Sequence, residues 1–76
     1  MSLPPDELER ARRQFGIRVR AIREEAGLTQ EELAHRAGLS RKTVGRVELG
    51  AYSPQLTHVF EIAHALGRPT VDLFRA

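Results

Sequence analysis

The sequence predicts an all-α fold, a compact domain of five helices. Apolar residues recur three or four positions apart, and no segment alternates apolar and polar residues long enough to form a strand. The 76 residues suffice for one domain, which buries about 60% of its unfolded surface. The chain has no cysteine, which excludes a disulfide and a thiolate metal site. Helix packing must therefore supply the stability.

The first helix is predicted to begin at Pro5, because proline is favoured in the first turn, and to end at Gly27. Its apolar stripe runs over five turns through Leu8, Ala11, Phe15, Val19, Ile22 and Ala26. Gly16 interrupts the helix at a cost of about 1 kcal/mol relative to alanine. We therefore expect close packing at that point.

The second and third helices have clear start signals. Thr29 is a predicted N-cap, and Glu32 completes a capping box for a helix over residues 30–37. Ser40 is the predicted cap of the third helix, and only residues 38–39 separate it from the second. Two helices joined by so short a turn cross steeply, which is a helix-turn-helix arrangement.

The third helix, residues 40–49, is predicted to carry a cationic face. At 100° per residue, one continuous arc contains Arg41, Lys42, Gly45, Arg46 and Leu49. Val44 and Val47 lie on the other side, where they anchor the helix to the core. Gly45 leaves a gap in the cationic face. The gap either admits closer approach of a ligand or contributes nothing.

Two further helices complete the predicted domain. The fourth follows the loop after Gly50 and carries Leu56, Val59, Phe60, Ile62, Ala63 and Leu66. Thr70 is the predicted cap of a short fifth helix with Val71, Leu73 and Phe74.

Cations are concentrated in two stretches although the net charge is only +2. Residues 10–23 contain six arginines and residues 36–46 contain four cations, with no acid in either stretch. This pattern suits nucleic acid binding, but a solvated arginine-rich surface would look the same. No apolar run approaches the roughly 20 residues of a membrane span, and no signal-peptide core is visible. We therefore expect a cytoplasmic protein that does not contact a membrane.

The chain resembles the phage-repressor-like (Cro and Xre type) helix-turn-helix family. The resemblance rests on "IREEAGLTQEELAHRAGLSRKTVGRVELG", "SPQLTHVFEIAHALG" and "VDLF", and it covers about Phe15 to Phe74. It implies a lambda-repressor-like DNA-binding domain over residues 15–76. Residues 1–14 are then an N-terminal extension and the start of the first helix.

This resemblance implies a transcriptional regulator that binds double-stranded DNA sequence-specifically through its third helix in the major groove. The residues expected to read bases are Arg41, Lys42 and Arg46. Those expected to position the DNA backbone are Thr29, Gln30, Ser40 and Thr43. Arg23 and Glu48 match a family pair that ties the first helix to the third.

Family members usually pair, so the resemblance also implies a homodimer on a near-palindromic operator, with half-sites about 34 Å apart. The predicted dimer interface consists of Val59, Val71, Leu73 and Phe74. The same residues could instead close the core of a single copy.

Two other functions are weighed against DNA binding. An enzyme is not expected, because the three histidines have no partner cluster and no nucleophile–base pair is present. Glu61 and His64 are one turn apart, but an exposed helix face explains them better than a metal. No cofactor or small-molecule ligand is indicated.

The stronger alternative is a protein-interaction module or antitoxin component of a larger complex. It is favoured by the lack of polar side chains at Gly45, Leu49 and Ala51. The exposed cations of the third helix oppose it.

Overall fold

The computed structural model describes residues 2–75, which form an all-α fold. The elements are α1 (Pro5–Glu25), α2 (Gln30–Ala37), α3 (Arg41–Glu48), α4 (Leu56–Leu66) and a 3-10 helix (Thr70–Phe74). The predicted fold class is confirmed, but the helix count is corrected: the described part of the chain has four α-helices, not five. The 3-10 helix begins directly after Pro69, and the Asp72 N–H donates to the Pro69 carbonyl at 2.9 Å. That i to i+3 bond is typical of short 3-10 pieces.

The predicted caps of α2 and α3 are confirmed. The Thr29 hydroxyl accepts from the Glu32 N–H at 3.0 Å, and the Thr29 N–H donates to the Glu32 carboxylate at 2.8 Å. The hydrogen bonds from Thr29, above all its backbone N–H, lower the pKa of Glu32. The Ser40 hydroxyl accepts from the Thr43 N–H at 3.0 Å. Gly38 ends α2 with a φ of 71°, a left-handed conformation that favours glycine.

The core lies between the four α-helices and the 3-10 helix: α2 packs on α3 and α4, α1 packs on α3, and the 3-10 helix packs on α1 and α4. Its fully buried large side chains are Val19, Ile22, Leu33, Val44, Val47, Ile62 and Leu73. The predicted stripe of α1 is correct in its middle and wrong at its ends, because Leu8, Ala11 and Ala26 are exposed. Over residues 5–14 only Arg12 is even partly buried. The first turns of α1 therefore extend beyond the core.

Gly16 brings α1 against the end of α3, which confirms the expected close packing. A Cβ atom at Gly16 would contact the Val47 carbonyl oxygen and lie 2.5 Å from that of Glu48. Arg12 of α1 makes a second contact here, because its Nε donates to the carbonyl of Gly50, just after α3, at 3.3 Å. Both α1 and α2 therefore pack against α3 and hold it in place.

The residues predicted to form the dimer interface are only partly exposed. Leu73 is 0% exposed and Val59 is 6% exposed, because the 3-10 helix packs onto α1 and α4 of the same copy. Both residues are therefore part of the core, although Val59 also lines an apolar groove beside Phe15 and Phe74. Val71 and Phe74 are exposed, and the Phe74 ring lies 5.1 Å from that of Phe15. None of the helices within residues 2–75 combines the length and apolar character needed to cross a membrane.

Candidate nucleic-acid interface

The predicted base-reading residues share one exposed face of α3. Arg41 and Lys42 lie in its first turn and Arg46 one turn later, and all three are exposed. Within residues 2–75 none of them forms an ion pair or a side-chain hydrogen bond. By contrast, several other arginines are paired with acids, such as Arg13 with Glu9 at 2.8 Å. The charge of α3 is therefore available to an anionic ligand.

The opposite face of α3 fixes the helix in place. Val44 and Val47 are fully buried, so the helix cannot rotate without exposing them. At its start the Ser40 and Thr43 hydroxyls lie 2.9 Å apart and share a hydrogen bond. The Ser40 and Thr43 hydroxyls, both predicted to position the DNA backbone, thus lie together at the start of α3.

Arg23 and Glu48, which are 25 residues apart in sequence, form a buried ion pair. Arg23 Nε donates to Glu48 Oε2 at 2.6 Å and Nη2 donates to Oε1 at 3.1 Å. Nη1 donates to the Leu28 carbonyl at 2.7 Å, which joins the loop before α2 to the pair. Hydrogen bonding to Glu48 raises the pKa of Arg23, against the opposing effect of burial.

Gln30 extends this network from the first position of α2. Its Nε2 donates to Glu48 Oε1 at 3.0 Å, so a single carboxylate holds side chains from α1 and α2. The side-chain oxygen of Gln30 faces Gly45 and would lie 3.6 Å from a Cβ atom there. The gap that the sequence indicates at Gly45 is therefore bordered by the Gln30 amide. An alanine at this position would make ordinary van der Waals contact.

The N-terminus of α2 lies beside this network. The first-turn amides of Gln30 and Glu31 have no acceptor within the helix, as at any helix start. Such amides suit a phosphate. Thr29 caps this terminus, where its hydroxyl accepts from the Glu32 N–H.

Leu49 is the apolar exception on the cationic face. It is 74% exposed, so it does not pack on the loop that follows α3. Ala51 is also exposed. The end of α3 thus offers an apolar surface where a cation would strengthen phosphate contact.

Sequence reasoning missed Tyr52, which lies beside the cationic face of α3. The Arg46 Cζ atom lies 5.6 Å from the centre of the Tyr52 ring. The Tyr52 hydroxyl is 3.4 Å from Nδ1 of His58, and the side chain packs against the core. An aromatic residue in the loop that follows a cationic helix is the sequence signal that would have indicated this contact.

The histidines do not assemble a metal site in the described part of the chain. No three His, Cys, Asp or Glu side chains converge within residues 2–75. Glu61 and His64, one turn apart on α4, are both exposed.

Comparison with known proteins identifies the family. The HTH_3 helix-turn-helix family model matches residues 19–73, most of the chain. The protein belongs to this family and is a DNA-binding transcriptional regulator.

Relatives and solved structures agree with this assignment. An HTH-type transcriptional regulator of Methanothermobacter thermautotrophicus is 50% identical over 54 residues, which are 71% of this chain and 78% of the relative. The immunity repressor protein of Bacillus phage phi105 is 44% identical over 52 residues, 68% of this chain and 36% of that longer protein. The crystal structure of the restriction-modification controller protein C.AhdI from Aeromonas hydrophila matches with a TM-score of 0.82 at 38% identity. That match covers 91% of this chain and 98% of the controller protein.

Proposed function

We propose that the protein binds a near-palindromic operator as a homodimer, with α3 of each copy in the major groove. The observation that carries this proposal is the set of three unpaired cations on one face of a helix whose other face is buried. The major groove accepts an α-helix, and arginine or lysine can donate to the O6 and N7 atoms of guanine. The DNA-binding domain in this proposal is residues 15–76, and residues 1–14 are the extension and start of α1.

The roles of the side chains follow from their places on the helices. Arg41 and Lys42 lie at the N-terminal end of α3, which reaches base edges in this docking mode. Arg46 lies one turn later and completes the base-reading set. Gln30, together with the amides at the start of α2, is placed to receive a phosphate.

The backbone-positioning set also includes Thr29, Ser40 and Thr43, which lie at the starts of α2 and α3. Their first roles are structural: the hydroxyls of Thr29 and Ser40 cap these helices, and the Thr43 hydroxyl shares a hydrogen bond with that of Ser40. A hydroxyl that accepts from the backbone still has its own proton to donate. Thr29 can therefore donate to a phosphate, and so can either Ser40 or Thr43, since the proton of the other forms the bond between them.

The second copy is expected to cover an apolar groove formed by α1, α4 and the end of the 3-10 helix. The groove is lined by Ala11, Phe15, Leu56 and Phe74, and Phe74 is 63% exposed. Phe60, one turn after Leu56 on α4, and Val71 on the 3-10 helix are also exposed. The proposed interface therefore consists of Val71 and Phe74 with exposed residues of α4, and Val59 lines the same groove. Leu73, which is 0% exposed, lies in the core.

We further propose that the protein acts in the cytoplasm and works by binding, not by catalysis, without a cofactor. The cationic face is complementary to a nucleic acid, and the described residues bring no metal-binding cluster together. A double-stranded operator is a sufficient partner for the surface that the structure presents.

The test is selection from randomised duplexes of about 25 base pairs, which span two half-sites one helical turn apart. An enriched palindrome supports a dimeric, sequence-specific regulator. Retention without enrichment means that the protein binds the backbone alone. No retention would favour the alternative, a protein-interaction module or antitoxin component, for which exposed Leu49 provides an apolar contact.

A further inference from the structure

The loop after α3 brings an aromatic ring to the cationic face of that helix. Tyr52 lies four residues beyond the end of α3 and is partly buried, whereas Arg46 is exposed. The 5.6 Å between the Arg46 Cζ atom and the ring centre is within the range of a cation–π interaction. Arg46 has no other side-chain partner among residues 2–75. The ring is thus its one visible restraint.

The ring is itself held from two sides. It packs against the hydrophobic core, and its hydroxyl lies within hydrogen-bond distance of His58 on α4. A long arginine side chain on a helix surface otherwise samples many rotamers, and ordering them on binding costs free energy. A fixed ring beneath the guanidinium reduces that cost. It leaves the N–H groups at the edge of the guanidinium free to donate.

We propose that Tyr52 is a positioning residue that orients Arg46 for its contact with DNA. The proposal rests on the proposed function, because it assigns Arg46 a base or phosphate to meet. It makes the loop between α3 and α4 part of the recognition surface. The ring carries this role, and the hydroxyl and His58 only hold the ring.

The test is a double-mutant cycle measured on the operator selected by the native protein. Four proteins are compared: the native chain, Arg46→Ala, Tyr52→Leu and the double variant. Tyr52→Leu should weaken operator binding about two- to fivefold, as expected for a partly exposed cation–π pair. In the Arg46→Ala background the same change should have no further effect, because the group that the ring orients is gone.

Tyr52→Phe is the matched control. It keeps the ring and loses only the hydroxyl, so it should retain the native base preference at the positions that Arg46→Ala alters. Tyr52→Leu should relax the preference at those same positions. Thermal unfolding of each variant shows whether the fold is intact at the assay temperature.

Three outcomes overturn the proposal in distinguishable ways. If Tyr52→Leu weakens the Arg46→Ala protein as much as the native one, the ring only supports the fold. If Tyr52→Leu changes neither affinity nor preference, the contact has no role in binding. If the native protein selects no sequence and is not retained on DNA, the proposed function fails and this inference fails with it.

Discussion

Gly16 and Gly45 allow one substitution to be tested in two opposite surroundings. Both lie inside helices, so replacement by alanine should gain about 1 kcal/mol of helix propensity at each position. At Gly45 a Cβ atom lies 3.6 Å from the Gln30 side chain, an ordinary contact. At Gly16 it would lie 2.5 Å from the Glu48 carbonyl oxygen and also clash with that of Val47. The Glu48 oxygen must withdraw by about 0.5 Å to reach 3.0 Å, below which real Cβ contacts essentially never occur, and the Val47 oxygen must withdraw further.

The magnitudes follow from this difference. Overpacking costs about 1–3 kcal/mol, and the upper end applies at Gly16 because backbone atoms, not flexible side chains, are in the way. Gly16→Ala should therefore lose about 2 kcal/mol net, whereas Gly45→Ala should gain about 1 kcal/mol. For a domain of this size 1 kcal/mol corresponds to about 4–8 °C in Tm.

The assay is thermal unfolding followed by far-UV circular dichroism, at several matched protein concentrations because a dimer makes Tm concentration-dependent. We expect Gly16→Ala to melt about 8–16 °C lower and Gly45→Ala about 4–8 °C higher than the native chain. Stabilisation by both substitutions would refute the close approach of α1 to α3. Gly45→Ala should also bind the operator as tightly as the native protein. Weaker binding would show that DNA uses the gap at Gly45.

Further predictions concern DNA recognition, assembly and pH. Arg41→Ala should change which operator sequence is preferred, whereas Gln30→Ala should weaken binding to all sequences about equally; parallel weakening by both would contradict the division into reading and positioning residues. Phe74→Asp should stay folded by circular dichroism but lose dimerisation and most DNA affinity, and light scattering that still finds a dimer would exclude this interface. The lowered pKa of Glu32 means that its contribution to stability is present above the unfolded pKa, near 4.3, and is lost as pH falls through the folded value. The stability of Glu32→Gln, measured by unfolding at a series of acidic pH values, should therefore fall less steeply than that of the native protein. The same fall in both proteins would contradict this role of Glu32.

Local signals account for what the sequence predicted well. The caps at Thr29 and Ser40 depend on residues within three positions of each other, and the structure reproduces both. Gly16 was correctly expected to pack closely, because a costly residue inside a helix needs a reason. The last element was predicted as a short fifth helix, and these five residues after a proline form a 3-10 helix.

The errors occurred where the partner of an apolar face is not local. Leu8 and Ala11 continue the stripe of α1, yet periodicity does not reveal that the helix extends beyond its neighbours. Val59 and Leu73 were predicted either to form a dimer interface or to close the core, because the same pattern serves both, and both side chains are buried. Tyr52 carried no periodic signal at all, because its contact with Arg46 depends on the path of a loop.

The shared carboxylate of Glu48 has a consequence for how this protein can change over evolutionary time. On α3 the buried residues that hold the helix in place alternate with exposed ones. The positions that maintain the fold are therefore different from those proposed to contact DNA. Substitutions at 41, 42 and 46 leave the buried contacts of Val44, Val47 and Glu48 intact. With these three residues as the proposed base readers, a new operator would require changes at the surface only, without the loss of stability that usually accompanies new function.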